Sequence, residues 1–249
     1  MYIWFHKLGS APTFYKWSGL WLPWLGAICF ILFAAGLYSG LVYAPADYQQ
    51  GDSFRIIYMH VPAAWMSMFV YVVMAVSGAI GIIWHVKLAQ IAMISSAPIG
   101  FSFTVLALVT GSIWGRPMWG TWWEWGDARL MSEALLLFLY IGVIGLSIAI
   151  EDKRKAAQAV AILSLVGLIN IPIIHYSVVW LNTLHQGPTV SKFDTPSIDM
   201  RMFMPLLIMA LAFKLFYVVV LLLRTRNELL WRERRSQWVK NIIQGTSND

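Results

Sequence analysis

The sequence predicts an all-α membrane protein with six transmembrane helices and both termini on the cytoplasmic side. Of its 249 residues, 59% are hydrophobic and only 12% are charged, whereas soluble domains carry roughly 25% charged residues. Six apolar stretches are each long enough to cross a hydrocarbon core about 30 Å thick. Because that core offers no water to the backbone, such stretches fold as helices. They cover about 20–43, 61–84, 91–113, 131–150, 157–178 and 203–223.

The first span contains the only cysteine of the chain. Its apolar stretch is longer than the roughly 7–15 residues of a signal-peptide core, so we expect it to remain in the membrane as an anchor. A single Cys29 excludes a disulfide framework, a CxxC redox pair and a cysteine metal cluster.

In the second span, Pro62 stands at the expected first helical position, which would hold the nearby imidazole of His60 at the outer membrane surface.

The basic residues orient the six spans and mark a tail. Twelve lysines and arginines lie on the side that holds both termini, and five lie on the other side. The positive-inside rule makes the first side cytoplasmic, which explains the net charge of +6 without a nucleic-acid partner. We expect residues 1–223 to form one membrane domain and residues 224–249 a basic amphipathic cytoplasmic tail. That tail is typical of a helix on an anionic lipid leaflet; a docking site for a cytoplasmic partner is the alternative.

The outer loop over about 114–130 is rich in tryptophan, as its segment "MWGTWWEWGDARL" (118–130) illustrates. Indoles often anchor helices at membrane interfaces, but no helix needs that many anchors in one loop. We therefore favour a flat apolar platform with N–H groups at its edges. A flat, largely apolar ligand with charged edges, such as a porphyrin, would suit this surface. The platform residues are Trp114, Trp119, Trp122, Trp123 and Trp125.

Two histidines flank this loop in the predicted topology. His60 lies in the outer loop over about 44–60, and His185 lies in the outer loop over about 179–202. A single interfacial histidine is more often a hydrogen-bonded side chain than a ligand, but imidazole is a common protein ligand of haem iron. A pair from separate loops could close on opposite faces of the porphyrin. His175, near the outer end of the fifth span, is favoured instead as a partner of a neighbouring helix.

Charged residues near the histidines and the platform could meet the carboxylates of such a ligand. Guanidinium groups pair well with carboxylates, so Arg55 and Arg129 are candidates for the two haem propionates, with Arg116 less favoured. Lipid phosphates or local ion pairs are the alternatives. Asp127 is expected either to pair with Arg129 or to cap the fourth span.

Lys214 lies inside the sixth span, where an ionisable residue suggests function, but snorkelling is the interpretation we favour.

The chain resembles the haem exporter protein C (cytochrome c maturation protein C) family, whose hallmark is a tryptophan-rich WWD segment between two histidines. The resemblance extends over nearly all six spans. It implies that His60 and His185 ligate iron, that Trp119, Trp122, Trp123 and Trp125 form the motif, and that Asp127 and Arg129 form its polar end. The stretches that carry it are "APADYQQGDSFRIIYMHVPAAW" (44–65), "GSIWGRPMWGTWWEWGDARL" (111–130) and "NIPIIHYSVVWLNTLHQG" (170–187).

The resemblance also implies a function and partners. Members of the family are multi-pass proteins of the bacterial inner membrane that hold haem b transiently at its outer face and pass it to a periplasmic haem chaperone. They work beside an ABC-type ATPase, a second membrane subunit and a small membrane peptide. We expect that the chain is not an enzyme, because ligands on loops would let one histidine be exchanged for a ligand of the acceptor, and any ATP hydrolysis would belong to a partner.

One position departs from the family pattern. Gly126 separates Trp125 from Asp127, where the family pattern runs Trp-Asp directly. In a helix, an inserted residue would turn Asp127 by about 100°, whereas in a loop glycine can absorb the change as a bulge. The role of Asp127 therefore depends on the local conformation of this segment.

Two other classes of membrane protein compete with this interpretation. A membrane permease subunit of an ABC-type exporter is the main alternative, although the short inside loops argue against it and the chain has no GxxxxGK[ST] motif of its own. A b-type electron-transfer subunit would carry histidine pairs in the middle of its spans, and this sequence has none there.

Overall fold

The fold is a bundle of membrane-spanning helices. The structure, a computed structural model, describes residues 10–181, 183–185 and 198–245. Six segments of that part of the chain are long and apolar enough to cross a membrane, which confirms the six-helix fold class. They are α1 (Ala11–Tyr38, continued by a π-helical turn over Ser39–Tyr43), α2 (Ile57–Ile83, preceded by a 3₁₀ turn over Asp52–Ile56), α3 (Lys87–Trp119), α4 (Ala128–Ala149), the pair α5 (Lys153–Gly167) and α6 (Asn170–Trp180), and α7 (Met200–Arg232).

The spanning helices are longer than their apolar stretches predicted. At about 1.5 Å per residue, the 33 residues of α3 extend to about 50 Å, well beyond the roughly 30 Å of the hydrocarbon core. Two expectations were therefore wrong. The tryptophan-rich loop begins after Trp119 and not at residue 114, because α3 continues to that residue. His60 lies within α2, since the helix begins at Ile57 and not at Pro62.

The end of the bundle where α3 ends and α4 begins is the predicted outer side, and we call the opposite end the basic side. One residue ends α3 here, and another begins α4. Gly120 adopts a left-handed conformation (φ 78°) after the last residue of α3, which glycine does without steric cost. Asp127 caps α4, because its Oδ1 accepts a hydrogen bond from Leu130 N at 2.9 Å. The tryptophan-rich segment is thus held at both ends.

Helix α2 lies at the centre of the bundle, in contact with α3, α5 and α7. One buried cluster, which includes Tyr58, Met66 and Met209, joins α2, α3 and α7. A second, which includes Met74, Tyr140 and Val160, joins α2 and α3 to α4, α5 and α6. Helix α1 packs on α7 at the edge. The outer end of α2 is therefore surrounded by the other helices, which is why His60 is enclosed.

The last spanning helix runs on into the predicted tail. Helix α7 continues to Arg232, and a short amphipathic helix, α8 (Gln237–Gln244), follows it. The ring of Trp238 packs 5.7 Å from that of Tyr15 in α1, and Glu233 forms an ion pair with Lys87 at 2.6 Å. These contacts attach the tail to the basic side of the bundle. Residues 246–249 of the predicted tail lie outside the described residues.

Candidate functional site

A cavity of about 1000 Å³ opens near the predicted outer side of the bundle. This volume is at the upper end of the range of about 300–1000 Å³ that is typical of small-molecule sites. Residues from α2, α3, α4, α6 and α7 contribute to its wall, together with the segments that precede α2 and follow α6. The side chains that carry chemistry among them are His60, His175, His185, Arg129, Trp65, Trp114 and Trp119.

His60 is held by the backbone and a side chain of α3. Its Nδ1 lies 3.0 Å from Ala107 O and 3.0 Å from Thr110 Oγ1. Because a carbonyl oxygen only accepts hydrogen bonds, Nδ1 carries the proton and donates it. The other ring nitrogen, Nε2, is then left with a free lone pair. This is the usual arrangement of a metal-ligating histidine, whose second nitrogen donates to a carbonyl or carboxylate.

The ring of His60 fits closely against α3 and an indole. A Cβ atom at Gly111 would lie 2.9 Å from His60 Cε1, so only glycine leaves room for the imidazole there. Trp114 packs edge-on to the same ring at 5.7 Å between centroids, and its Nε1 donates to Gln50 Oε1 at 2.9 Å. The orientation of His60 is therefore set on two sides.

His185 reaches the same cavity from the segment after α6. Its Nδ1 lies 3.6 Å from Asp127 Oδ1, which is too long for a hydrogen bond, and this buried nitrogen has no other partner in the described part of the chain. Asp127 also accepts from Leu184 N at 2.7 Å through Oδ2. One carboxylate thus caps α4 and positions the segment that carries His185.

Burial of its imidazole lowers the pKa of His185 to about 4, and the nearby charge of Arg129 also lowers it, against the opposing effect of Asp127. His185 is therefore neutral at pH 7. Neutral imidazole is the form that ligates a metal.

Arg129 joins α4 to α6 at the cavity wall. It lines the cavity, is partly buried, and donates from Nη1 to Ile174 O at 3.1 Å. The guanidinium group has further N–H donors, which places a fixed positive charge at the cavity wall. Arg129 is the predicted propionate partner that the structure brings to the histidines.

The five predicted platform tryptophans are divided between the cavity wall and the loop. Trp114 and Trp119, both in α3, line the cavity, and the ring of Trp119 lies 4.9 Å from that of His185. Trp122, Trp123 and Trp125 belong to the loop and are not part of the cavity wall. Trp122 and Trp125 are 57% and 77% exposed. Two of the five predicted indoles therefore line the cavity, and the other three lie outside its wall.

Gly126 lies in a tight turn of that loop. Asp127 N donates to Glu124 O at 3.2 Å, and Gly126 N donates to Glu124 Oε1 at 3.2 Å. The φ angle of Gly126 is not positive, so this position does not require glycine. Gly126 thus lies in a turn and not in a helix, and the next residue, Asp127, caps α4.

Two predicted arginines are engaged elsewhere. Arg55 donates from Nε to Asp52 Oδ1 at 2.8 Å and from Nη1 to Gly40 O at 2.9 Å, and it does not line the cavity. Arg116 donates to Gly120 O at the end of α3 and is exposed. A role for Arg55 at a propionate remains a prediction.

Sequence reasoning missed part of the cavity wall. Trp65 and Tyr176 line it, as does Arg201, which pairs with Asp199 at 3.1 Å. His175, which we expected to bond a neighbouring helix, also lines the cavity and packs edge-on to Tyr176 at 4.7 Å. Trp65 stands five residues after His60, which places it about 140° around α2 from that residue, so helical periodicity gave no signal that groups it with His60.

The site does not resemble a binding site for a bare metal ion. In the part of the chain that the structure describes, no three His, Cys, Asp or Glu side chains converge closely enough to hold one. Two imidazoles with free nitrogens suit a metal that already has other ligands, as iron in a porphyrin has from the ring.

Comparisons with known proteins agree on one family. A family model described as heme exporter protein C matches residues 4–240. The chain is 50% identical over 238 residues to the heme exporter protein C of Escherichia coli strain K12, which covers 96% of each chain. It is 45% identical over 244 residues to the heme exporter protein C of Haemophilus influenzae, covering 98% of this chain and 99% of the relative. It is 42% identical over 211 residues to a putative cytochrome c biosynthesis ccmC-like mitochondrial protein of Marchantia polymorpha. This match covers 84% of this chain and 89% of the relative.

Proposed function

Because this chain belongs to the heme exporter protein C family of haem-handling membrane subunits, we propose that it holds haem b transiently in the outer cavity and passes it to a periplasmic haem chaperone. Haem is here the cargo of the protein and not a resident cofactor. The iron is held between His60 and His185, in a multi-pass protein of the bacterial inner membrane. The single observation that carries this proposal is that both imidazoles line one cavity of about 1000 Å³.

The state of the two imidazoles supports iron ligation. Nδ1 of His60 is occupied by Ala107 O and Thr110 Oγ1, so Nε2 is free to bind iron. Nδ1 of His185 faces Asp127, so its Nε2 is the nitrogen directed away from the carboxylate. A neighbouring carboxylate strengthens an imidazole as a ligand and fixes its orientation.

The rest of the wall suits the porphyrin itself. Trp114 and Trp119 supply flat apolar surface beside the two ligands. Arg129 supplies the positive charge that a propionate needs, and Arg201, at the cavity wall with most of its side chain exposed, is a second cation for the other propionate. The cavity thus combines apolar walls with a few polar groups, as small-molecule sites do.

Release follows from where the ligands lie. His185 lies beyond the last residue of α6 on an irregular segment, and its Nδ1 has no hydrogen-bond partner among the described residues. A donor side chain of the chaperone can therefore take the place of this imidazole on iron. In this handoff one iron–nitrogen bond breaks and one iron–ligand bond forms, so the chain performs no covalent catalysis.

Partners complete this proposal. The chain has no GxxxxGK[ST] motif, so we assign ATP hydrolysis to an ABC-type ATPase that works beside it with a second membrane subunit and a small membrane peptide. Transport by the chain itself, as a permease, is the competing function. Haem movement into sealed vesicles that contain only this chain would favour the permease and contradict the assignment made here.

The test is the visible spectrum of the protein purified with co-expressed chaperone. Wild type is expected to show low-spin, six-coordinate haem, and His60→Ala and His185→Ala are expected each to lose it. His85→Asn is the matched control, because His85 is exposed on the basic side between α2 and α3. Unchanged low-spin haem in both alanine variants would exclude these residues as ligands.

A further inference from the structure

Lys214 is a charged side chain in the middle of the last spanning helix. From Met202 to Leu223, α7 carries no charged residue other than Lys214. At about 1.5 Å per residue, it lies about 18 Å along the helix from Met202 and about 14 Å from Leu223. A lysine stem reaches only about 6 Å at ordinary bond lengths. The ammonium group therefore cannot reach either end of the apolar stretch by snorkelling.

The side chain of Lys214 points away from the rest of the protein. It is exposed on the surface of the bundle, whereas Phe213 and Tyr217 on either side of it face the core. It forms no hydrogen bond or ion pair with any residue that the structure describes. A cation within a membrane is costly and almost always faces a bundle interior, a water-filled cavity or an oppositely charged partner. The described part of the chain provides none of these around Lys214.

Lys214 lies in a stripe with the spacing of a helix–helix contact. The exposed residues of this face follow one another at intervals of four and three, which is the heptad spacing of packed helices. The opposite face of α7 supplies the buried core residues Leu206, Met209 and Phe213. The members of the stripe are Met200, Met204, Leu207, Leu211, Lys214 and Val218.

We infer that this stripe is the docking surface for a transmembrane helix of another protein that carries an acidic side chain at the depth of Lys214. Charge complementarity selects this occupant, because a carboxylate would satisfy the buried ammonium. A second copy of this chain does not fit. Glu133, an acidic residue at membrane depth in α4, is buried and bonded to Ser67, so two copies would bring lysine against lysine.

Photo-crosslinking in native membranes tests this inference. A photoreactive amino acid at Leu211, one helical turn from Lys214, should form a crosslink to a transmembrane peptide that contains Asp or Glu, identified by mass spectrometry. Phe138 is the matched control position, because it is 66% exposed and lies ten residues from the outer end of α4, as Leu211 lies eleven from that of α7. No protein crosslink is expected from Phe138.

Charge variants make the test specific. In Lys214→Leu the crosslink from Leu211 should fall by roughly tenfold, which corresponds to about 1.4 kcal/mol of lost helix affinity, while Lys214→Arg should retain it. His60→Ala, which tests the haem proposal, should leave the crosslink unchanged, so the two proposals can fail separately. Crosslinks to lipid only, to a second copy of this chain or to a helix without an acidic residue would overturn the inference. So would an unchanged yield in a Lys214→Leu protein that still binds haem.

Discussion

The two histidines of the cavity are held in different ways. His60 belongs to a regular helix, and its Nδ1 has two acceptors on α3, each at 3.0 Å. His185 follows the end of α6, and its Nδ1 lies 3.6 Å from Asp127 without a hydrogen bond. One imidazole is therefore fixed by hydrogen bonds and close packing. The other is positioned mainly by the charge of a neighbouring carboxylate and by its contact with Trp119.

This difference explains how one site could both hold and release its cargo. A ligand that is fixed in a helix keeps its geometry when the opposite ligand leaves. A ligand on an irregular segment can move without disturbing the bundle, because its motion breaks no helix hydrogen bonds. Under the proposed function, His60 is the permanent ligand and His185 is the one that is exchanged.

The largest effect is expected from a methyl group beside His60. In Gly111→Ala the new Cβ would lie 2.9 Å from His60 Cε1, and the imidazole, bonded at Nδ1, cannot move without losing its acceptors. Overpacking of this kind costs about 1–3 kcal/mol, so the haem-to-protein ratio should fall roughly tenfold. Gly145→Ala on α4 is the control, since nothing lies within 4 Å of its added Cβ. An unchanged ratio in Gly111→Ala would show that His60 is not rigidly held.

A smaller but still large effect is expected at the carboxylate beside His185. Asp127→Ala removes the cap of α4 and the acceptor of Leu184 N. The loss of a cap costs about 1 kcal/mol of unfolding free energy, and His185 should also lose its position, which favours five-coordinate, high-spin haem. The visible spectrum and a thermal unfolding curve measure the two effects.

Asp152→Ala is the control that separates the loss of a helix cap from the loss of His185 positioning. Asp152 caps α5 by accepting from Arg154 N and Lys155 N, and it does not line the cavity. This variant should lose similar stability with no change of haem spectrum. If the spectrum of Asp127→Ala also stayed low-spin, Asp127 would be a cap and nothing more.

The tryptophans should divide into two groups. Trp119→Leu removes the ring that lies 4.9 Å from His185, and such ring contacts are worth about 0.5–1.5 kcal/mol, so retained haem should fall by about threefold to tenfold. Trp125→Leu changes an indole that is 77% exposed and outside the cavity wall. It should retain wild-type haem in the absence of the chaperone. Equal losses of haem in both variants would instead support a single platform of five indoles.

The smallest effect is expected from the second acceptor of His60. Thr110→Val keeps the shape of the side chain but removes one of the two acceptors of Nδ1, and Ala107 O remains. A neutral hydrogen bond contributes about 0.5–1.5 kcal/mol, and because Ala107 O remains we expect the lower end of this range, a fall in haem retention of about twofold. A complete loss of haem would mean that Thr110, and not Ala107 O, sets the tautomer of His60.

The sequence anticipated some features of the site and not others. That His60 and His185 belong together was indicated by their positions on either side of a tryptophan-rich loop, and both do line one cavity. Their use as iron ligands remains a prediction. The grouping of the five indoles was indicated only by their closeness in the chain. The end of α3 at Trp119 divides these indoles between the helix and the loop. Arg201 was not anticipated in the cavity wall, because its place there depends on how α7 packs in the bundle.

The number of spanning helices, their approximate positions and the family can all be predicted from the amino-acid sequence. The helices depend on local properties, since an apolar stretch of sufficient length must satisfy its own backbone wherever it lies in the membrane. Which side of each helix faces the cavity, the core or the lipid cannot be predicted in this way and is seen in the packed bundle. That choice is set by the rotation of each helix against its neighbours, so it directs His60 inward and Lys214 outward although both lie in apolar helices.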